Sequence, residues 1–347
     1  MRSLQSGHWF KLICGASYQA LPDVRNLALA YTLAGADCID VAADLAVVGA
    51  AQAGILAARQ VFESASQPSQ VARYVRPLLM VSMSAGEDPH FRKAWFDPAV
   101  CPSDCPRPCV QVCPAVAIDE TGVLRDRCYG CGRCLPICPL GLIEERSQPT
   151  TLNAIAQSVL TQVDALEIHT QVGQLQEFQQ LWQTIAPWTS HLRLISVSCP
   201  DGDHLIDYLK SLETVMNLSA QLKKPALIWQ TDGRPMSGDI GKGTTHAAVR
   251  LAQKVLAADL PGHIQLAGGT NEYTVLKLRE LGLLRQLNTV STGALTVSGI
   301  AYGSYARRLL MSVTRQNHYL EEVPQALLEA VALAKSLVLP LKQAVKS

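Results

Sequence analysis

Cys101-Pro-Ser-Asp-Cys105-Pro-Arg-Pro-Cys109-Val-Gln-Val-Cys113-Pro114 and Cys128-Tyr-Gly-Cys131-Gly-Arg-Cys134-Leu-Pro-Ile-Cys138-Pro139 decide how the centre of this chain folds and how the rest is divided around it. Eight of the eleven cysteines fall in these 38 residues. The second stretch is C-x2-C-x2-C-x3-C-P, and the first has gaps of three residues throughout. Tight spacing lets three thiolates reach three metals of one cubane, while the fourth cysteine is carried to a neighbouring one. Gly130 and Gly132 let the backbone wrap closely enough for amide N–H groups to point at sulfur. Pro114 and Pro139 forbid helical continuation.

An internal repeat ties the two stretches together. Cys109-x3-Cys113-Pro-x-x-Ala-Ile118-Asp-Glu aligns with Cys134-x3-Cys138-Pro-x-x-Leu-Ile143-Glu-Glu at a constant offset of 25. Such duplication is what a two-cluster, bacterial ferredoxin-like module requires, because each half donates its last cysteine across. The expected ligands are Cys101, Cys105, Cys109 and Cys138 for one [4Fe–4S] cluster, and Cys128, Cys131, Cys134 and Cys113 for the other. Structural zinc also uses C-x2-C pairs, but it leaves the C-P endings and the repeat without a reason. The longer gaps of the first stretch leave a labile or three-iron first cluster open. Arg107, Arg127 and Arg133 stand beside ligands, either raising a cluster potential or forming solvated surface.

Outside this segment short apolar runs alternate with longer helical ones. Candidate strands are 10–15, 38–42, 78–82, 165–170, 193–198, 226–231, 264–267 and 288–292. Amphipathic stretches at 24–33, 174–185, 204–222, 245–256 and 273–281 lie between most of them. Eight strand–helix units predict an α/β fold of the (β/α)8 barrel type, with a doubly wound sheet as the alternative. The expected parts are residues 1–97 and 147–317 for the barrel, 98–146 for the inserted module and 318–347 for a C-terminal helical extension. An insertion after the third strand puts its cysteines beside the barrel mouth, where ligands bind.

Strand ends bring Cys14, Asp40, Ser84, His169, Cys199, Asp232 and Asn271 to that mouth as ligand or turn residues. Cys14, Cys38 and Cys199 are too scattered to complete a cluster and read as small core residues. Gly268-Gly269-Thr270 follows the seventh strand, a place for an anion or the phosphate of FMN. The 238–245 loop lacks the first glycine of a P-loop, Met236 standing in its place, so ATP binding is not expected.

Net charge is +1 and the apolar fraction 48%, which describes a globular chain with no broad attraction to nucleic acid. The N-terminus has no signal-peptide pattern, and the apolar run 45–58 is short for a membrane span. A cytoplasmic location and no integral membrane span are expected.

The FKLICGASYQ start, both cysteine motifs, TDGRPMSGDIGKGTTHAAV and IQLAGGTNEYT resemble the cyanobacterial light-dependent period family of iron–sulfur proteins across nearly the whole chain. The resemblance implies redox sensing in the light input of the circadian clock, with clock-input and clock-core proteins as partners. Quinones or another redox donor fit the same logic. The residues alone leave three readings open: such a sensor, an electron-transferring oxidoreductase with a flavin or small molecule at the barrel mouth, and a cluster carrier. Whether the chain is an enzyme stays open at this level.

Overall fold

The computed structural model describes residues 1–16, 18–65, 74–86, 92–113, 115–128, 130–147, 152–217, 225–234, 241, 243–285 and 295–343. Twelve strands are found among them: β1 (Trp9–Ile13), β2 (Cys38–Ala42), β3 (Leu78–Ser84), β4 (Arg92–Trp95), β5 (Ile118–Asp119), β6 (Gly122–Val123), β7 (Glu144–Ser147), β8 (Ala165–His169), β9 (Leu194–Pro200), β10 (Ala226–Asp232), β11 (His263–Ala267) and β12 (Gly299–Tyr302). The helices are α1 (Arg2–Gln5), α2 (Leu21–Ala34), α3 (Leu45–Ala65), α4 (Pro108–Val112), α5 (Leu152–Leu160), α6 (Leu175–Ile185), α7 (Leu205–Met216), α8 (Thr245–Leu256), α9 (Thr274–Glu280), α10 (Ser304–Thr314) and α11 (Pro324–Lys342).

Eight strands close a parallel barrel in the order β1-β12-β11-β10-β9-β8-β3-β2. Each is followed by a helix, so all the crossovers are βα units of the kind parallel strands need. Residues whose side chains point outward, such as Phe10, Leu12, Ile39, Val41, Leu79 and Val81, pack beneath the helices. Inward-pointing residues at the strand starts, Trp9, Cys38, Leu78, Ala165 and Leu194, pack with Met80, Ile228 and Leu4 of α1 into a separate apolar floor.

The barrel and seven of the eight expected strands are present, within two residues at each end. The eighth is a correction: it is Gly299–Tyr302, whereas the 288–292 candidate lies outside the described residues. Gly299 explains why this strand reads weakly in sequence. A Cβ there would lie 2.3 Å from the Trp9 carbonyl oxygen, so close β1–β12 contact demands the residue least favoured in strands.

The cysteine segment interrupts the β3-to-α5 connection. Its base is an antiparallel ribbon in which Arg92 pairs with Ser147 and Trp95 with Glu144. The Arg146 guanidinium lies 3.2 Å from the Trp95 ring centre and covers that ribbon. Because β3 still pairs with β8 from Met80↔Ala165 to Ser84↔His169, the insertion leaves the barrel register intact.

Two helices are long and apolar enough to cross a membrane by composition, Leu45–Ser64 and Pro324–Lys342. Here both lay a buried stripe on the rest of the fold: Val47, Val48, Ala51, Ile55 and Ala58 from α3, and Leu327, Ala330, Ala334, Leu337 and Leu341 from α11. Helix α3 packs on α2 at Gly54, where a Cβ would stand 2.2 Å from the Arg25 carbonyl oxygen. At Gly49 in the same helix nothing lies within 4 Å. Gly49→Ala should therefore stabilise the fold by up to about 1 kcal/mol, as in an ordinary helix. Gly54→Ala should cost about 1–3 kcal/mol through overpacking. Urea unfolding of the two variants checks the opposite signs.

Candidate functional site

In the inserted module the short helix α4 and the hairpin β5–β6 fix the first cysteine stretch against the second. Cys101 lies within electrostatic reach of Cys105 and Cys138, and Cys109 within reach of Cys101 and Cys138; the Cys101 and Cys105 thiols are hydrogen-bonded. Cys113 joins Cys128, Cys131 and Cys134 in a second group. All eight are free thiols. Burial pushes the Cys134 thiol up to about 12, and crowding by Cys131, Cys128 and Cys113 adds to this. Burial likewise raises Cys101, Cys109 and Cys131. For Cys138 burial also raises the pKa, yet the amides of Leu142, Leu140, Ile143 and Gly141 together bring it below the ordinary thiol value. The Ala117 amide donates to Cys113 Sγ at 3.3 Å.

This donor set fits iron–sulfur clusters. Crowded thiols repel as thiolates until cationic metal joins them, and ring-forming amides are the usual partners of cluster sulfur. Ile118, Ile143, Ala115 and Ala117 are buried in the same apolar cluster as Cys109, Cys128 and Cys134. Gly130 and Gly132 adopt φ of +70° and +72°, the left-handed turns that wrap the second stretch. Among the described residues no three His, Cys, Asp or Glu side chains are set to hold a single metal ion.

The three arginines differ in position. Arg107, itself left-handed at φ +47°, donates to the Asp119 carbonyl oxygen at 3.4 Å and acts on Cys101. Arg133 acts on Cys131 through its amide and its charge, and Arg127 on Asp119.

The module sits on the barrel through its second group. Lys93 of β4 is buried and donates to Gln19 Oε1 at 2.9 Å and to the Arg125 carbonyl oxygen. The Gln19 amide donates to the Asp126 carbonyl oxygen at 2.9 Å, two residues before Cys128. Arg315, following α10, donates to the carbonyl oxygen of Ala115, two residues after Cys113.

A second set of functional groups fills the barrel above its apolar floor. Lys11 of β1 is fully buried and pairs with Glu167 of β8, with Asp40 Oδ2 of β2 3.5 Å away. Glu167 also accepts from Ser196 Oγ at 2.8 Å and Gln230 Nε2 at 2.9 Å, and His169 Nε2 lies 3.2 Å from it. Ser82 donates to Asp40 Oδ1 at 2.8 Å, and Gln265 donates to Gln230 Oε1 at 2.7 Å. Despite burial, which raises it, Lys11 and its other donors hold the Glu167 carboxyl well below the usual range. Burial pushes Asp40 up to about 6 against the opposing pull of Lys11. Asp40 Oδ2 and Gln265 Oε1 are buried acceptors with no hydrogen-bond donor.

Of the strand-end candidates, the structure brings Asp40 and His169 into this network. Ser84 Oγ donates to the Gly86 carbonyl oxygen at 2.7 Å and works as a turn residue. Cys14, Cys38 and Cys199 are buried core thiols. Asn271 ties loops together, donating to the Gly241 carbonyl oxygen at 2.9 Å and accepting from the Tyr273 amide. Gly268 and Gly269, at φ +69° and +94°, serve close packing. Cβ atoms there would lie 2.1 Å from Asp232 Oδ1 and 2.5 Å from the Thr244 carbonyl oxygen. Thr270 Oγ1 donates to the Ala301 carbonyl oxygen at 2.6 Å. Residues 235–240 and 242 of the other glycine loop lie outside the described residues. Lys11, Glu167, Gln230 and Gln265 escaped the sequence reading. Their signal is a charged or amide residue inside a largely apolar strand.

Fold and site together define an eight-stranded parallel barrel carrying a cysteine-rich, iron–sulfur-binding insertion at its mouth. Residues 101–149 match the family described as the LdpA Fe-S cluster-binding domain, and 158–340 match the light dependent period A C-terminal domain. A curated relative, light dependent period A of Synechococcus elongatus, is 54% identical over 351 residues, covering 99% of this chain and 94% of its own. The chain belongs to the light dependent period A family. Solved structures with similarity include (S)-3-O-geranylgeranylglyceryl phosphate synthase from Thermoplasma acidophilum, 11% identical with a TM-score of 0.40, covering 96% of both chains. The YdjI aldolase from Escherichia coli K12 is 9% identical with a TM-score of 0.43, covering 97% of this chain and 92% of its own.

Lys11→Met should destabilise the fold by about 3–5 kcal/mol, because it strands buried Glu167. Asp40 carries a pH signature. Its folded value of about 6 lies above the unfolded 3.8, so the folded state takes up a proton between them. The cost of the ionised carboxyl, full above pH 6, therefore fades as pH falls toward 3.8. Measured by urea unfolding, the stability of the wild type relative to Asp40→Asn should rise by about 1 kcal/mol from pH 7 to pH 5. An unchanged difference between the two proteins would contradict the assignment.

Proposed function

We propose that the chain is an iron–sulfur redox sensor in the light input of the cyanobacterial circadian clock, acting through two [4Fe–4S] clusters. The observation that supports this best is the interleaving of the eight cysteines, in which Cys138 joins the first group and Cys113 the second. The ligands are Cys101, Cys105, Cys109 and Cys138 for one cluster and Cys128, Cys131, Cys134 and Cys113 for the other. When bound, such clusters exchange single electrons at potentials set by nearby charge, amides and solvent. The thiolates hold them, the amides around Cys138 and Cys113 orient sulfur lone pairs, and the apolar cluster limits water. The near balance of charge over residues 98–146, five basic against six acidic, suits a fixed partner surface such as a clock-input or clock-core protein. The working compartment is the cytoplasm, and the chain acts without an integral membrane span. The name of the 54%-identical relative supports the link to a light-dependent period.

A second reading is favoured by one observation, the charged network around Lys11 and Glu167. A fully buried lysine between carboxylates, on the barrel's ligand-binding side of an apolar floor, is how barrel enzymes place acid–base groups. In that reading the clusters feed an oxidoreductase with a flavin or another small molecule at the mouth. Flavin absorbance of anaerobically purified protein, or turnover with a small acceptor, would favour it.

The crossed ligand sets are tested by paired substitutions. Cys138→Ser should leave the same residual EPR spectrum as Cys101→Ser, and Cys113→Ser the same as Cys128→Ser. If Cys138→Ser instead matched Cys128→Ser, each stretch would hold its own cluster. Cells carrying Cys134→Ser should keep one period in dim and bright light. An unchanged light dependence counts against the sensor.

A further inference from the structure

The two cysteine groups stand in different relations to the barrel. Both ligand segments of the second group are bonded to it, Cys113 through Ala115 and Arg315, and Cys128 through Arg125, Asp126 and Gln19. Lys93 stands at the centre of the second tie. It is 2% exposed, and its ammonium reaches the Cys128 thiol electrostatically. The other charges facing it are Arg125 and Asp126 of the module and Asp44 of the barrel, which also caps α3 through the Ala46 and Val47 amides. Burying an ammonium is costly unless a negative or strongly accepting group sits nearby. Gln19 and one carbonyl oxygen are neutral acceptors, so the counter-charge comes from the thiolate side of the second group, with the Asp126 and Asp44 carboxylates beside it.

We infer that Lys93 couples the second group to the barrel, favouring the reduced, more negative state of the cluster held there and passing the added charge to Gln19. The inference rests on the reading that Cys113, Cys128, Cys131 and Cys134 hold a [4Fe–4S] cluster. One electron from a low-potential one-electron donor adds one negative charge with no bond made or broken. The ammonium is then drawn toward Cys128 and away from Gln19 Oε1. Gln19 sits between β1 and α2, so the change arrives at the connection leaving the strand that carries Lys11. Among the described residues, Cys101, Cys105, Cys109 and Cys138 are not bridged to the barrel in this way. Their potential should be indifferent to Lys93.

The test is an EPR-monitored redox titration of the full chain, reconstituted anaerobically, for wild type, Lys93→Met and Lys93→Arg. Lys93→Met should lower one midpoint potential, that of the signal missing in Cys134→Ser, and leave the other in place. Lys93→Arg, which keeps the charge, should restore it. Hydrogen exchange supplies a second readout: the Gln19 amide should exchange faster in dithionite-reduced than in oxidised wild type. That difference should vanish in Gln19→Leu, which keeps the test usable if Lys93→Met fails to fold. A wild-type protein with no cubane signals overturns the cluster reading and this inference with it. Two cubanes whose potentials Lys93→Met leaves unchanged overturn this inference alone, as does a Gln19 amide indifferent to reduction.

Discussion

Strand β3 has to meet β8 in a parallel ladder, with Ser84 beside His169, although the entire cysteine-rich segment lies between them in sequence. A barrel missing this one pairing would expose two strand edges. The excursion must therefore leave and return without disturbing the register. The antiparallel ribbon of β4 and β7 achieves this by bringing the two ends of the insertion together, which keeps the loop-closure cost low whatever lies beyond it. The same constraint fixes where the cysteines end up. A segment launched from the C-terminal end of a barrel strand stays on the ligand-binding face.

Polar chemistry inside the barrel gives this face a second meaning. Most of the interior is closed by an apolar floor, so the ion pair of Lys11 with Glu167 and the raised carboxyl of Asp40 are confined to one level. Charges buried so deeply survive only through mutual pairing and added donors, which Ser82, Ser196 and Gln230 supply. Such a network fixes relative strand positions and holds a titrating group near neutral pH. The junction at Lys93 and Gln19 joins the module to the connection that leaves β1, the strand bearing Lys11.

Much of this was legible in the sequence. Period-2 and near-continuous apolar runs located seven strands because parallel strands are buried on both faces. The eighth, Gly299–Tyr302, was not, since its opening glycine answers a steric demand from Trp9 across the barrel. The cysteines were read by spacing and by the 25-residue repeat. Lys11 and Glu167 are not legible there, because a lone charge in an apolar strand is ambiguous until its partner, on a distant strand, is known. Asp40 and His169 read in sequence only as strand ends. Gly268 and Gly269, which read in sequence as an anion loop, also answer a steric demand from Asp232 and Thr244.

The central claim is that the two groups of thiols hold cubanes, and metal content is the most direct measure of it. Protein purified and reconstituted without oxygen should carry about eight iron and eight acid-labile sulfide per chain, and reduction should give the overlapping EPR signals of two nearby clusters. Zinc without sulfide, or about four iron with a single isolated signal, would contradict it.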